Sequence, residues 1–485
     1  MRILEALFKN SSPLQTLTKN SFWIVFGRVS SGVLRAILVI YSARILGVNN
    51  FGSFTLGMNY IMIFSFLPEF GFTAILTREL AKRELDSQKV FSSLFIITLL
   101  FSFLTYIFIL GFSGIFIKDT IAIAIIPILG LMMIFDVLRE FSYGVFRAEE
   151  KMEKQGLLHF FTNLILFGIG MFVLLTPELI AQKLYYLAYA YLFSVFIGTI
   201  IGFTMIWKYI KNLKLKIDLP LYVKFFNSSW PIALANFIFL LLLYIDSIIL
   251  GWFHSAHFVG LYNATVKLNE FLIFFPQAIA LAIFPMLSRS LNEPEKLKYY
   301  LELGLKLGAI LMFPIVFGVF ILGSNIVSVI YGSQYIATIP ALKIIIFSML
   351  GAFPFLILTN LLIALDKRRE LLAFDALLIL INVGLNILLI PKFHYYAAAY
   401  VTTLTNLLGF LFAYFISQKY VKFEFNKLLV KPFIASLIMA IILLFAKNMS
   451  LLLVIPLGAI VYLVMLLLIK EELTTKALNR RIVHK

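Results

Sequence analysis

The feature that most constrains this chain is a rhythm. Stretches of roughly twenty mostly apolar residues recur from end to end, and about twenty such residues are what a helix needs to cross a bilayer's hydrocarbon core. Fourteen such windows lie near 21–43, 53–76, 90–112, 120–139, 157–176, 184–207, 226–251, 268–288, 307–331, 340–363, 371–391, 395–417, 432–446 and 450–469. With 62% hydrophobic and only 13% charged residues, the chain needs lipid as its solvent. Soluble domains carry roughly 25% charged residues. The expected fold is an all-α polytopic membrane protein of about fourteen transmembrane helices.

The loops carry a second, independent pattern. Even-numbered gaps hold basic clusters, among them Arg78, Lys82, Arg83 and Lys89, then Lys367, Arg368 and Arg369. Odd-numbered gaps hold single cations: Arg44, Lys118, Lys183, Lys267, Lys343, Lys392 and Lys447. Positive loops stay cytoplasmic, so this alternation predicts a multi-pass protein of the cytoplasmic membrane with both termini inside. Residues 1–19 read as a cytoplasmic amphipathic lead-in without a signal-peptide cleavage site. The net charge of +17 would suit nucleic acid, but its confinement to short loops argues against that partner.

Several chemistries are excluded. There is no cysteine, and the five histidines are scattered, with only His254 and His257 within one helical turn and no acidic pair beside them. No metal or cofactor is therefore expected. There is no phosphate-binding loop and no loop long enough to house a catalytic domain, so the chain is not expected to be an enzyme.

An internal repeat organises the spans. Asn20-Ser21-Phe22-Trp23 opens the first span and Asn227-Ser228-Ser229-Trp230 the seventh. Phe51-Gly52-Ser53-Phe54 is echoed by Val259-Gly260-Leu261-Tyr262, and Thr77-Arg78-Glu79-Leu80 by Ser288-Arg289-Ser290-Leu291. The expected divisions are a lead-in at 1–19, a six-helix lobe at 20–216, a second at 217–420, and two additional helices with a cytoplasmic tail at 421–485. Six spans per repeat is even, so the lobes are expected to be related by a pseudo-two-fold along the membrane normal.

Ionisable groups inside spans are costly and default to functional candidates. Arg28 and Arg35, seven residues apart, return to nearly one face of span one, about 10 Å apart along the axis. Guanidinium stays charged when desolvated and grips phosphate oxygens in pairs, so a pyrophosphate is a matching ligand. Arg28 can instead snorkel to the interface, and Arg35 can instead lock helices through a buried ion pair with Glu69 or Asp246. Asp246, within span seven, fits either a proton or cation acceptor or an interfacial salt bridge. Asp136, Arg139 and Glu140 read as a local helix-stabilising group.

Taken in order, these segments resemble the polysaccharide biosynthesis flippases, the O-antigen (Wzx-type) branch of the multidrug/oligosaccharidyl-lipid/polysaccharide exporter superfamily. The resemblance rests on Ala43-Arg44-Ile45-Leu46-Gly47 with Phe51-Gly52, on Phe70-Gly71-Phe72 with Arg78-Glu79-Leu80, on Asp246, Gly251 and Val259-Gly260-Leu261-Tyr262, on Tyr331-Gly332-Ser333-Gln334-Tyr335, and on Ile390-Pro391-Lys392. The chain departs where the family often shows Gly-x-x-Gly-Ala-Ala, reading His394-Tyr395-Tyr396-Ala397-Ala398-Ala399, and at Asp366, where glycine is common. The resemblance implies a V-shaped pair of lobes working by alternating access on a polyprenyl-(pyro)phosphate-linked oligosaccharide. Arg28 and Arg35 would then hold the pyrophosphate, Arg44 would meet it near the outer face, and Glu69 or Asp246 would serve a coupling ion. Membrane lipids, a polysaccharide polymerase and glycosyltransferases are the implied partners. The alternatives are a peptidoglycan-precursor lipid flippase, a cation-coupled multidrug antiporter of the same superfamily, and a non-transporting scaffold or scramblase.

Overall fold

The computed structural model describes residues 13–213 and 218–469. The start of the lead-in, Lys214 and Lys216, and the tail cations Lys470, Lys476, Arg480, Arg481 and Lys485 lie outside the described residues. Among the described residues there is no strand; the chain is all-α.

The helices up to residue 260 are α1 (Pro13–Phe64), α2 (Phe66–Glu69), α3 (Phe72–Lys82), α4 (Ser87–Phe116), α5 (Thr120–Ala148), α6 (Met152–Leu175), α7 (Lys183–Met205), α8 (Trp207–Ile210), α9 (Leu219–Phe253) and the start of α10 (Ala256–Arg289). Those beyond are α11 (Pro294–Ile330), α12 (Ile339–Ile345), α13 (Ser348–Ala364), α14 (Arg368–Tyr420), α15 (Phe425–Ala446) and α16 (Leu451–Leu468). Eleven helices among the described residues are long and apolar enough to cross a membrane, or twelve if the pair Ser333–Ile345 and Ser348–Ala364, bent by 48°, forms one crossing.

Two of these are too long for a single crossing. The 52-residue α1 and 53-residue α14 each hold two apolar windows and each break once, α1 at Gly47 (φ 77, ψ 170) and α14 at His394 (φ 51, ψ −139). At 1.5 Å per residue either would extend about 78 Å, more than twice a hydrocarbon core. Both breaks use the left-handed half of backbone space. His394 does so with a side chain attached, as does Asp366 (φ 59) elsewhere in the chain, and these are two of the three positions, with Ala397, at which the sequence has another residue where the resembled family often has glycine.

By contacts the chain forms two compact units, Met1–Gly260 and Leu261–Lys485. In the first, α1 lies along α6 for most of its length. The pairing begins where the buried Lys19 meets Glu153 at 2.9 Å. One turn further on the backbones nearly touch: a Cβ on Gly27 would sit 2.8 Å from the Gly156 Cα, and one on Gly156 2.4 Å from the Trp23 carbonyl oxygen. Lipid gives apolar faces no reason to associate, so close backbone approach through small residues and interhelical hydrogen bonds holds such pairs. Beside this seam a dry cluster of Phe72, Phe91, Phe141, Phe146 and Phe225 joins α3, α4, α5 and α9.

A second crossing in this unit brings α1 beyond its break against the start of α10. Gly52 faces the Ala256 carbonyl, Gly260 faces the Val48 carbonyl, and His257 Nδ1 lies 2.9 Å from Asn49 Oδ1. The separation between Asn49 and His257 is 208 residues, and the same shift carries Val48 to Ala256 and Gly52 to Gly260. The contact thus maps onto itself when the two repeat segments are exchanged.

In the second unit α13 packs along α14, with Gly351 close to the Asn406 carbonyl. The last two helices form a cluster with α11 through Leu322, Ala435, Met439, Leu443, Val454, Tyr462 and Leu466. Tyr462 donates to the Ile310 carbonyl at 2.7 Å and Asn325 to the Lys447 carbonyl at 2.8 Å.

Candidate functional site

One group of charged side chains in the first unit lies around α1, α5 and α6. On α1, Arg28, Gly32 and Arg35 occupy successive turns of one face and all three are exposed. Among the described residues a Cβ on Gly32 would meet nothing within 4 Å, so the turn between the two arginines is open at that point.

Arg35 is held on one edge. Its Nε and Nη2 donate to Oδ1 of Asn163 on α6, at 3.3 and 3.1 Å. Neither Glu69 nor Asp246 is its partner, so the ion-pair reading of Arg35 gives way to a bond with a neutral amide. Arg35 makes no ion pair among the described residues. His159 lies one turn earlier on α6, within the electrostatic field of Arg28, Arg35 and Arg139.

The acidic side of the cluster comes from α2 and α5. Span two is interrupted by Ser65, by Phe70 (φ 36) and by Gly71 (φ 76), leaving α2 as a single turn that ends at Glu69. Proline at 68 and glycine at 71 make that interruption readable, since one lacks an N–H and the other tolerates the left-handed turn. Glu69 is half-buried and its electrostatic neighbours are Glu140, Asp136 and Arg147. Asp136 pairs with Arg139 three residues on, as expected of a local helix-stabilising pair. Glu140 pairs with Arg147 at 3.5 Å, and Arg147 also donates to Gln155 on α6 at 3.1 Å. The same Glu140 feels Arg28, which ties the exposed face of α1 to this network.

Arg139 is 3% exposed, lies over the Tyr143 ring at 5.5 Å, and leaves its Nε without a partner, as does the Tyr143 hydroxyl. Asp246 on α9 is also 3% exposed. Arg44 is exposed three residues before the Gly47 break. The structure therefore brings together Arg28, Arg35 and Glu69 with the Asp136–Arg139 pair. It adds Asn163, His159 and Arg147, which the sequence did not single out. A lone asparagine deep in an apolar span was the available signal for Asn163.

Among the described residues no group of three His, Cys, Asp or Glu could hold a metal ion. What the arrangement offers is an exposed pair of guanidinium groups beside carboxylates that are mostly paired with other cations, a surface suited to an anion.

Comparisons with known proteins bear on the family and the fold. The family described as polysaccharide biosynthesis protein matches residues 17–291, and the MatE family matches 231–388. A probable flippase of Haloferax volcanii, AglR, is 24% identical over 79% of this chain and 80% of its own length. A probable low-salt glycan biosynthesis flippase of the same organism is 22% identical over 85% and 86%. Among solved structures, a lipid II flippase, MurJ, in an inward closed conformation superposes with a TM-score of 0.78 at 17% identity, covering 93% of this chain and 99% of that one. An inward-facing multidrug resistance MATE transporter of the MOP superfamily gives 0.66 at 13% identity, covering 82% and 95%. Both structural likenesses speak to the fold.

Proposed function

The chain belongs to the polysaccharide biosynthesis protein family, and on that premise we propose that it is a flippase carrying a polyprenyl-(pyro)phosphate-linked oligosaccharide across the cytoplasmic membrane by alternating access. The observation that carries this reading is the exposed face Arg28–Gly32–Arg35, two permanent cations flanking an uncovered turn, with no carboxylate cancelling the charge of Arg35. A diphosphate presents paired oxygens at the spacing a guanidinium fork engages, while the polyprenyl tail stays in lipid. Arg44, before the break in α1, would meet the same headgroup at the outer end of its passage. Glu69 would take the coupling ion, because it borders two further carboxylates, and Asp246 is the alternative acceptor.

Fourteen crossings, both termini inside, and lobes at 20–216 and 217–420 followed by two additional helices complete the proposal. The loop charges and the self-exchanging crossing of Gly52 and Gly260 support it. Glycosyltransferases and a polysaccharide polymerase would work on either side of the step. A cationic drug would need an acidic face on α1, and a peptidoglycan precursor shares the same diphosphate chemistry.

The test is translocation of a fluorescent polyprenyl-diphosphate sugar in reconstituted vesicles. Arg35→Ala should lower the rate by about tenfold or more, the scale of one lost charge-assisted contact, while the protein still inserts. Full activity of that variant would overturn the proposal. A rate indifferent to every ion gradient would replace coupled transport by scrambling.

A further inference from the structure

We propose that Asn163 is a positioning residue that fixes the Arg35 guanidinium for an anionic headgroup while leaving its charge whole, so that the neutrality of this one amide selects diphosphate-bearing lipids. The inference rests on Arg35 holding the headgroup.

The geometry is specific. Asn163 is 2% exposed on α6, and its Nδ2 donates to the His159 carbonyl at 2.9 Å, one turn back. That bond fixes which way the amide points, because the opposite orientation would set NH2 against both the guanidinium and leave the carbonyl oxygen facing another oxygen. Oδ1 is thereby presented to Arg35, where it takes Nε at 3.3 Å and Nη2 at 3.1 Å. A guanidinium has five N–H groups, so about three remain for an incoming anion.

The supporting helix is itself rigidly placed. Gly27 against Gly156 lies on one side of the contact and Leu38 against Gly170 on the other, where a Cβ on Gly170 would come 2.7 Å from Leu38 Cδ1. Arg35 therefore lies on a seam that is close-packed on either side of it.

Aspartate would fill the same volume and accept from Arg35 as the amide does, but it could not donate to the His159 carbonyl, and its charge at this distance would cancel that of Arg35. An amide gives orientation without neutralisation, which a buried carboxylate cannot do. The charged groups facing this contact are Arg28 on α1 and Arg139 on α5, whose fields with that of Arg35 meet at His159. Arg139 pairs with Asp136, Glu140 with Arg147, and the α6 carboxylate, Glu153, with Lys19, so the carboxylates around this contact are each held by another cation and not by Arg35.

The experiment measures concentration-dependent flipping of a polyprenyl-diphosphate sugar by the full chain in vesicles, with thermal unfolding in detergent as the folding control. For Asn163→Asp the half-saturating substrate concentration should rise about tenfold while the maximal rate changes little. Asn163→Ala removes the hydrogen bonds without adding a charge and should be impaired less than Asn163→Asp. Because Asn163→Asp also loses the donation to the His159 carbonyl, the two variants are compared only where both unfold at the wild-type midpoint, and there an impairment of Asn163→Ala equal to or greater than that of Asn163→Asp would overturn the proposal. On an Arg35→Ala background Asn163→Asp should have no further effect, and an equal additional loss there would also overturn it. If Asn163→Asp does not fold, inhibition by inorganic pyrophosphate is compared between Asn163→Ala and wild type, and unchanged inhibition refutes positioning. Loss of transport in Arg35→Ala with a wild-type Asn163→Asp would reject this inference alone. An active Arg35→Ala would reject the headgroup site beneath it.

Discussion

Replacing Gly52 by alanine tests the self-exchanging crossing in the first unit. The added Cβ would lie 1.8 Å from the Ala256 carbonyl oxygen, 2.7 Å from its carbonyl carbon and 2.9 Å from the Gly260 nitrogen. Ordinary contact begins near 3.4 Å, and backbone atoms cannot rotate away as a side chain would, so the two helices must part by about 1.5 Å. Parting also loosens Gly260 from Val48 and stretches the Asn49–His257 contact. Overpacking of this kind costs about 1–3 kcal/mol, and a strained interhelical hydrogen bond adds about 0.6 kcal/mol. Gly32→Ala is the matched control, because its Cβ meets nothing and helix propensity alone should give a gain of about 0.5–1 kcal/mol. Thermal unfolding of purified protein should therefore show Gly52→Ala below and Gly32→Ala at or above wild type. Gly260→Ala should resemble Gly52→Ala, and the double variant should cost less than the two together, since one displacement relieves both. A Gly52→Ala protein as stable as wild type would refute the close crossing.

Two further predictions concern backbone and loops. His394→Gly should stabilise the chain by about 1 kcal/mol, relief of left-handed strain less the entropy of glycine, and by more than Asp366→Gly because aspartate tolerates that conformation better; unfolding midpoints in the reverse order would contradict this. Burial raises the Glu149 carboxyl, but hydrogen bonds from Lys208 at 2.5 Å and Lys151 at 2.9 Å outweigh it and hold the group below its ordinary range. A depressed carboxylate contributes stability above its unfolded pKa of about 4.3 and loses it as pH falls through the folded value. Wild type should therefore exceed Glu149→Gln in midpoint at neutral pH, with the gap closing on acidification below about pH 4.5, whereas a gap independent of pH would refute the pairing.

Much of this fold is legible in the sequence because lipid imposes length and apolarity on every crossing and confines cations to loops. The breaks were partly legible too. Pro68 and Gly71 mark the interruption of span two, and of the three places where glycine is replaced, Asp366 and His394 proved to be left-handed backbone while Ala397 is helical. The partner of Arg35 was not legible. Its bond to Asn163 spans 128 residues and depends on the register of α1 against α6, which is set by the meeting of Gly27 and Gly156 rather than by any local pattern. Sequence charge alone pointed to Glu69 or Asp246, because charge complementarity is readable and helix register is not. The Asp136–Arg139 pair was readable for the opposite reason, since three residues on one helix fix the neighbours.

The chain contains no cysteine, which permits a direct measurement of whether the Arg28–Arg35 face is wet. Gly32→Cys places a single thiol in the uncovered turn between the two arginines. In vesicles or cells a charged, water-borne thiol reagent should modify it, and a polyprenyl-diphosphate sugar should slow that modification. A thiol that reacts only with lipid-soluble reagents would contradict the account, because guanidinium groups turned toward acyl chains cannot receive a diphosphate.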